Sequence, residues 1–190
     1  MESENDEKVF ENLKCTGAAL KSSSFTDCSF INCDLSSCDF TDCRLSGCKF
    51  HGCNLSLVKL DGATLSDVIF EECKLVGINF TKCNSKFFFT PHFSKCTISS
   101  SNFSDIKAPK IEFTACKIEI TDFINSDLSG GNFKKSSLKG CIFHNTNLMK
   151  ADFTGASEYD IDPTANKIKK AKFSLPEATR LLTALDIIID

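Results

Sequence analysis

The chain has no tryptophan, one tyrosine and two methionines, and its 22 basic residues do not outnumber its 25 acidic ones. Without a basic excess it is not built as a general nucleic-acid binder that neutralises many phosphates, so no direct nucleic-acid contact is expected. No apolar run approaches the roughly 20 residues of a membrane helix, so no membrane association is expected. The first residues, Met1 to Lys8, are charged and acidic with no apolar signal region behind them, which points to a cytoplasmic protein. The composition is instead lopsided toward two residue types, with 18 Phe and 12 Cys in 190 positions. For that many cysteines, a reducing compartment argues against a disulfide framework.

The large apolar residues recur every five positions. Phe25, Phe30, Leu35, Phe40, Leu45, Phe50, Leu55, Leu60, Leu65, Phe70, Leu75 and Phe80 follow one another without a gap, and Phe10, Cys15 and Leu20 extend the series backwards. Ser85 breaks it. A second series runs from Phe93 through Phe103, Phe113, Phe123, Phe133 and Phe143 to Phe153, offset by three residues, so an insertion lies between Asn84 and His92. A period of five is neither helical nor that of a simple strand. It requires a chain that turns a corner in every repeat.

Two further phases support the corner. The residue two before each large one is small or medium, as in Cys28, Cys33, Cys38, Ala63, Ser101 and Thr121, and the spacing of two puts both on the inward side. Eight of nine glycines sit two residues after a large one, a phase otherwise held by residues such as Asp27, Asn32 and Asn125. These are the types that accept a positive φ, so the corner lies there.

Segments such as Cys33-Asp34-Leu35-Ser36-Ser37, Cys53-Asn54-Leu55-Ser56 and Ala151-Asp152-Phe153-Thr154-Gly155 resemble the pentapeptide-repeat family, written A(D/N)LXX. The resemblance implies an all-β fold, a right-handed quadrilateral β-helix with four repeats per coil, so that residues 20 apart stack. It covers residues 10–157, about seven coils, or a rod of ~35 Å at ~4.8 Å per layer. Residues 1–9 then form an N-terminal tail and 158–190 a C-terminal cap and dimerisation tail. In the second series Phe alternates with aliphatic residues, which puts Phe stacks on two opposite faces.

Eleven cysteines occupy the small inward phase, where free Cys behaves as a compact apolar residue. Core packing is the favoured role; a redox or metal role, and bridges between Cys28 and Cys48 or Cys33 and Cys53, are the alternatives. The spacing suits neither zinc nor an iron–sulfur cluster, and no metal or cofactor is expected. His51, His92 and His144 are scattered, and no nucleophile–base set is brought together, so no catalysis is expected. In the insertion, Phe87, Phe88, Phe89, Thr90, Pro91 and His92 form either a bulged corner closed by its own aromatics or a protruding contact loop. The face centred on Phe103, Phe123 and Phe143 carries Asp105 and Asp122 and no Lys or Arg.

Beyond the repeats, Ser174-Leu175-Pro176-Glu177 is a helix start with Ser174 as N-cap. Ala178, Leu181, Leu182 and Leu185 give an α-helix of about three turns one apolar face that caps the open coil. With Ile187, Ile188 and Ile189 that face is the expected interface of a C-terminal homodimer. The ending, from Tyr159-Asp160-Ile161-Asp162 through Lys169-Lys170-Ala171-Lys172-Phe173-Ser174, resembles the topoisomerase-protecting branch of the family, which includes the Qnr quinolone-resistance proteins and the albicidin-resistance protein. That resemblance implies a dimer joined at its C-terminal ends that binds bacterial DNA gyrase or topoisomerase IV without chemistry, as a duplex mimic. A scaffold with an unrelated protein partner is the alternative. Residues 25–158 hold 15 acidic and 14 basic side chains, so the acidity expected of a duplex mimic is weak here.

Overall fold

The computed structural model describes residues 4–84, 89–185 and 187. Within the repeats the corners fall where the glycine phase predicts: Gly17, Gly47, Gly62, Gly77, Gly130 and Gly155 have positive φ, as do Asp27, Asn32, Asp105 and Asn125 at the equivalent position, while Glu158, past the repeats, has positive φ off that phase. Many corners close with a hydrogen bond from the residue three beyond the inward one, as from Cys38 N to Leu35 O (3.1 Å) and Ala63 N to Leu60 O (3.0 Å). With a positive φ at the third residue, this is the geometry of a type II turn. Where Asp or Asn precedes the inward residue, its side chain reinforces the turn. Asp34 Oδ1 accepts from Ser36 N, Asn54 Oδ1 from Ser56 N and Asp127 Oδ1 from Ser129 N, each at 3.0–3.1 Å.

The sides are short parallel strands, among them Ser24–Thr26, Ser29–Ile31, Lys49–His51 and Lys74–Val76, paired at an offset of 20 residues: Phe30 faces Phe50, Leu45 faces Leu65. Across the insertion the offset becomes 23, with Phe70 opposite Phe93 and Leu75 opposite Ile98. The result is a right-handed quadrilateral β-helix of about eight turns, with faces named here after Phe25, Phe30, Leu35 and Phe40.

The interior is built of columns. On the Phe30 face nine rings stack from Phe10 through Phe30, Phe50, Phe70, Phe93, Phe113, Phe133 and Phe153 to Phe173, with centroids 4.6–5.3 Å apart. On the opposite face Phe80, Phe103, Phe123 and Phe143 stack likewise at 4.2–5.4 Å. Mainly aliphatic columns, such as Leu35–Leu55–Leu75–Ile98, fill the other two sides, with Phe25 and Phe89 as aromatic members on one of them.

The coil is longer than the apolar spacing alone predicts. Glu4–Asp6 and Val9–Glu11 pair with Ser24–Thr26 and Ser29–Ile31, so the presumed N-terminal tail is coil from Glu4 onward. Asn5 takes the inward place there; the first level has a neighbour on one side only, which tolerates a polar residue. At the other end Asn147 bridges Lys167 and Phe153 pairs with Phe173, so coil continues past residue 157. The C-terminal segment differs in type: Glu177–Leu185 is a 3₁₀ helix rather than an α-helix. The Ser174 hydroxyl does not cap it in the expected way, because it accepts a hydrogen bond from Gly155 N (2.9 Å) in the last coil. Two contacts dock the segment: Arg180 Nε donates to Tyr159 O (2.9 Å), and Glu158 N donates to Glu177 Oε1 (2.7 Å).

Candidate protein-binding faces

The packed core leaves little interior space. The void between Phe40, Phe50, Leu65 and Phe80 measures about 10 Å³, no more than one water occupies. A substrate has no place inside, and functional groups must lie on the outer faces.

The cysteines are part of that core. Eleven are buried, Cys15 is half-buried, and all twelve are free thiols. Cys33, Cys53, Cys73, Cys96 and Cys116 stack one per turn beneath the Leu35 face, each two residues before its inward partner. The inward small position has a polar task as well. Cys48 Sγ donates to Phe25 O, Cys53 Sγ to Phe30 O and Cys96 Sγ to Phe70 O, each at 3.3 Å. Ser126, Ser136 and Thr146 make the same bond to Phe103, Phe113 and Phe123 O at 2.6–2.7 Å. At this position Cys, Ser and Thr give the buried corner carbonyl a partner, which Ala63 and Ala151 at the same position have no donor to supply. Burial pushes the Cys48 thiol up to about 11 and those of Cys83 and Cys141 up to about 12, which disfavours the reactive thiolate. Among the described residues, no three His, Cys, Asp or Glu side chains are grouped to hold a metal ion.

The structure divides the residues of the insertion. Phe89 is 6% exposed and meets Phe80 edge-on at 6.2 Å, and Pro91 is buried, so neither is available to a partner. The three extra residues are accommodated between Asn84 N, bonded to Ala63 O, and Thr90 N, bonded to Leu65 O. The Thr90 hydroxyl accepts from Asp67 N (2.8 Å) and donates to Asp67 Oδ1 (2.9 Å), bridging the interrupted ladder. His92 stands partly exposed, its Nδ1 3.5 Å from Glu112 Oε2. Phe87 and Phe88 lie outside the described residues.

Asp105 and Asp122 share the Phe40 face but occupy different positions on it, one at the corner and one on the flat. Asp105 is an exposed corner residue at φ 59°. It accepts from Asn125 Nδ2 (3.2 Å), and Asn125 Oδ1 accepts in turn from Asn145 Nδ2 (3.0 Å). Asp122 lies on the flat of the face between Asn102 and Ile142. Such ladders recur at Asp34–Asn54 and Asp127–Asn147, and their sequence signal is Asp followed by Asn 20 residues later. At the C-terminus Leu181 packs against the core, Leu182 is half-buried, and Leu185 and Ile187 are 46% and 53% exposed. Ile188 and Ile189 lie outside the described residues. No helix of the described chain is long and apolar enough to cross a membrane.

Comparison with known proteins bears on these faces through the fold. A search of curated proteins finds no match. Among solved structures the chain is similar to HetL, a pentapeptide repeat protein involved in heterocyst differentiation regulation from the cyanobacterium Nostoc. The two share 15% identity at a TM-score of 0.68, over 87% of this chain and 85% of that one. It is also similar to full-length QnrB1, a plasmid-mediated fluoroquinolone resistance protein, at 17% identity and a TM-score of 0.59, over 97% of this chain and 100% of that one. A trypsin-treated QnrB1 variant matches at 20% identity and the same TM-score. Two family patterns match: one for a pentapeptide repeat region over residues 23–88, and one for pentapeptide repeats, described as eight copies, over residues 121–155. Together with the five-residue columns and the positive-φ corners, these matches establish that the chain belongs to the pentapeptide-repeat family.

Proposed function

We propose that the protein works without chemistry of its own, by presenting an outer face of its rod to a protein partner. The partner in this proposal is a bacterial type II topoisomerase, DNA gyrase or topoisomerase IV, which it shields from a poison such as a quinolone or albicidin. The observation that carries the proposal is the filled interior, which leaves only the faces to act. The likeness to QnrB1 along nearly the whole of both chains supports the choice of partner. Exposed Leu185 and Ile187 support a homodimer joined through the C-terminal segment, which deletion of residues 187–190 should weaken in sedimentation. The deciding assay is gyrase supercoiling inhibited by a quinolone or by albicidin, with and without the protein. Restored supercoiling is expected, and unchanged inhibition across both drugs would reject the topoisomerase reading.

A second reading is an interaction module for an unrelated protein. It is favoured by the near balance of charge over residues 25–158 and by the absence of a continuous acidic stripe along the described faces.

A further inference from the structure

The last four levels of the Phe25 face carry Ala108, Leu128, Leu148 and Ile168 inward. Outward, the same levels present Lys107 and Lys110, then Lys150, then Lys167, Lys169 and Lys170, all exposed. One row runs Lys107, Asp127, Asn147, Lys167, each bridged to the next. At the corner the chain stacks Lys110, Gly130, Lys150 and Lys170, all with positive φ, so three of the lysines stand along one edge.

Asp127 is the one acidic residue on these four levels, and its Oδ1 is already engaged. It accepts from Ser129 N (3.0 Å) and from Asn147 Nδ2 (2.9 Å). None of the six lysines makes an ion pair with another described residue, whereas elsewhere Lys21 pairs with Asp39, Lys95 with Glu72 and Lys134 with Asp152. Six basic groups against one acidic give these levels a net of +5; the whole chain stands at -3, so the remainder carries -8. A basic island thus sits on an otherwise acidic chain.

The island is indented. Between Lys110 and Lys150 the corner residue is Gly130, and a depression of about 310 Å³ opens there, lined by Pro109 on the level before, Ser129 beside the glycine and Met149 on the level after. The Lys110 stem leans over Gly130: its Cγ lies 3.5 Å from where a side chain on that glycine would begin. Lysine stems, Pro109 and Met149 supply apolar contact, and the lysine heads supply charge.

We infer that this island is where the protein takes hold of an acidic, extended segment of its protein partner. The inference rests on the proposal that the rod works by presenting an outer face to a protein. Four levels at ~4.8 Å span ~14 Å, the length of about four residues of extended chain. Lysines before and beyond the depression can then engage carboxylates of one segment, while the depression takes up an intervening side chain. A nucleic-acid duplex fits less well. It carries one charge every ~1.7 Å far beyond those ~14 Å, and the net charge of -8 on the rest of the chain repels the excess. Exposed ion pairs are individually weak, so the contact needs several at once and falls as salt screens them.

The probe is fluorescein-labelled decaglutamate, titrated with the full-length protein and followed by fluorescence anisotropy. Binding is expected in about 100 mM salt, weaker by at least ~10-fold in about 500 mM. Lys107→Glu/Lys110→Glu/Lys150→Glu should abolish it. Glutamate already occupies positive-φ positions at Glu7, Glu72 and Glu158, so the variant should fold, with circular dichroism as the check. None of the three lies in the C-terminal segment, so sedimentation should match that of the parent chain. The control Lys49→Glu/Lys59→Glu/Lys74→Glu makes the same change of net charge on earlier levels of other faces. It should leave binding within ~2-fold, because screening acts over ~10 Å at the lower salt. A carbodiimide should join the probe to Lys107, Lys110, Lys150 and the lysines of residues 167–170 alone.

The inference is overturned by a parent chain that binds no decaglutamate, by equal losses in the two triple variants, or by cross-links on other lysines. Tighter binding of a DNA duplex of about 20 base pairs than of decaglutamate would also overturn it, and would assign the island to nucleic acid. The topoisomerase reading fails separately. A chain that binds decaglutamate at this island but leaves supercoiling inhibited loses the topoisomerase and keeps the island. One that restores supercoiling but binds no decaglutamate does the reverse.

Discussion

The ring of Phe103 meets that of Phe93 edge to face, with centroids 5.9 Å apart and planes at 90°. Each ring also stacks on its own column, so Phe103 joins the two aromatic stacks as well as lying within one. Phe103→Ala removes all of these contacts and leaves a cavity in a core with no slack. A loss of about 3–5 kcal/mol is expected, measured by denaturant unfolding.

The thiols should be silent until the coil opens. With eleven of the twelve buried, only Cys15 is expected to react quickly with a thiol reagent in the native state. The remainder should label at the rate of unfolding, in a time course followed by mass spectrometry.

Ile120 occupies a corner at φ 49°, a conformation that a β-branched residue adopts at a cost, and its side chain is 69% exposed. Ile120→Gly relieves the strain and loses little packing. It should stabilise the protein by about 1 kcal/mol, seen as a rise in Tm.

Tyr159 is fully buried between Phe153 and Phe173, and its hydroxyl has no hydrogen-bond partner among the described residues. Tyr159→Phe removes that unsatisfied group and keeps the ring. A gain of about 1–3 kcal/mol in unfolding free energy is expected.

Hydrogen bonds from Thr41 hold the Asp39 carboxyl at about 2, against a usual 3.8, with Lys21 contributing 3.2 Å away. The folded state prefers the ionised form. The stabilisation is therefore complete above the unfolded value and is lost as pH falls through about 2. Melts recorded from pH 5 to pH 2 should show a decline in Tm that is shallower in Asp39→Asn.

The columns were legible because a period of five has one physical solution, and the corner because eight glycines share one phase. What escaped the sequence reading did so for local reasons. Asn5 is inward but polar, so a search for large apolar residues ends one level late. Three consecutive phenylalanines give no signal for which of them turns inward, and Phe89 is selected only by the slip in the ladder at Thr90. Ser174 fits an N-cap by type, but the nearby Gly155 amide claims its hydroxyl.

The 23-residue step across the insertion has a consequence for how the chain can change in length. Backbone amides reach carbonyls 21 residues back, as from Asp34 N to Leu13 O, or 19 ahead, as from Leu35 N to Asn54 O. Twenty residues are thus a modulus. Adding or removing one whole multiple leaves every later residue on its own side. Five more or five fewer would rotate all that follows by a quarter turn, sliding an aromatic column onto an aliphatic one and dealing each outward charge to the adjacent side. Three residues cannot be threaded into the coil at all. The rod beyond Thr90 keeps its phase as though they were absent, with Phe70 opposite Phe93.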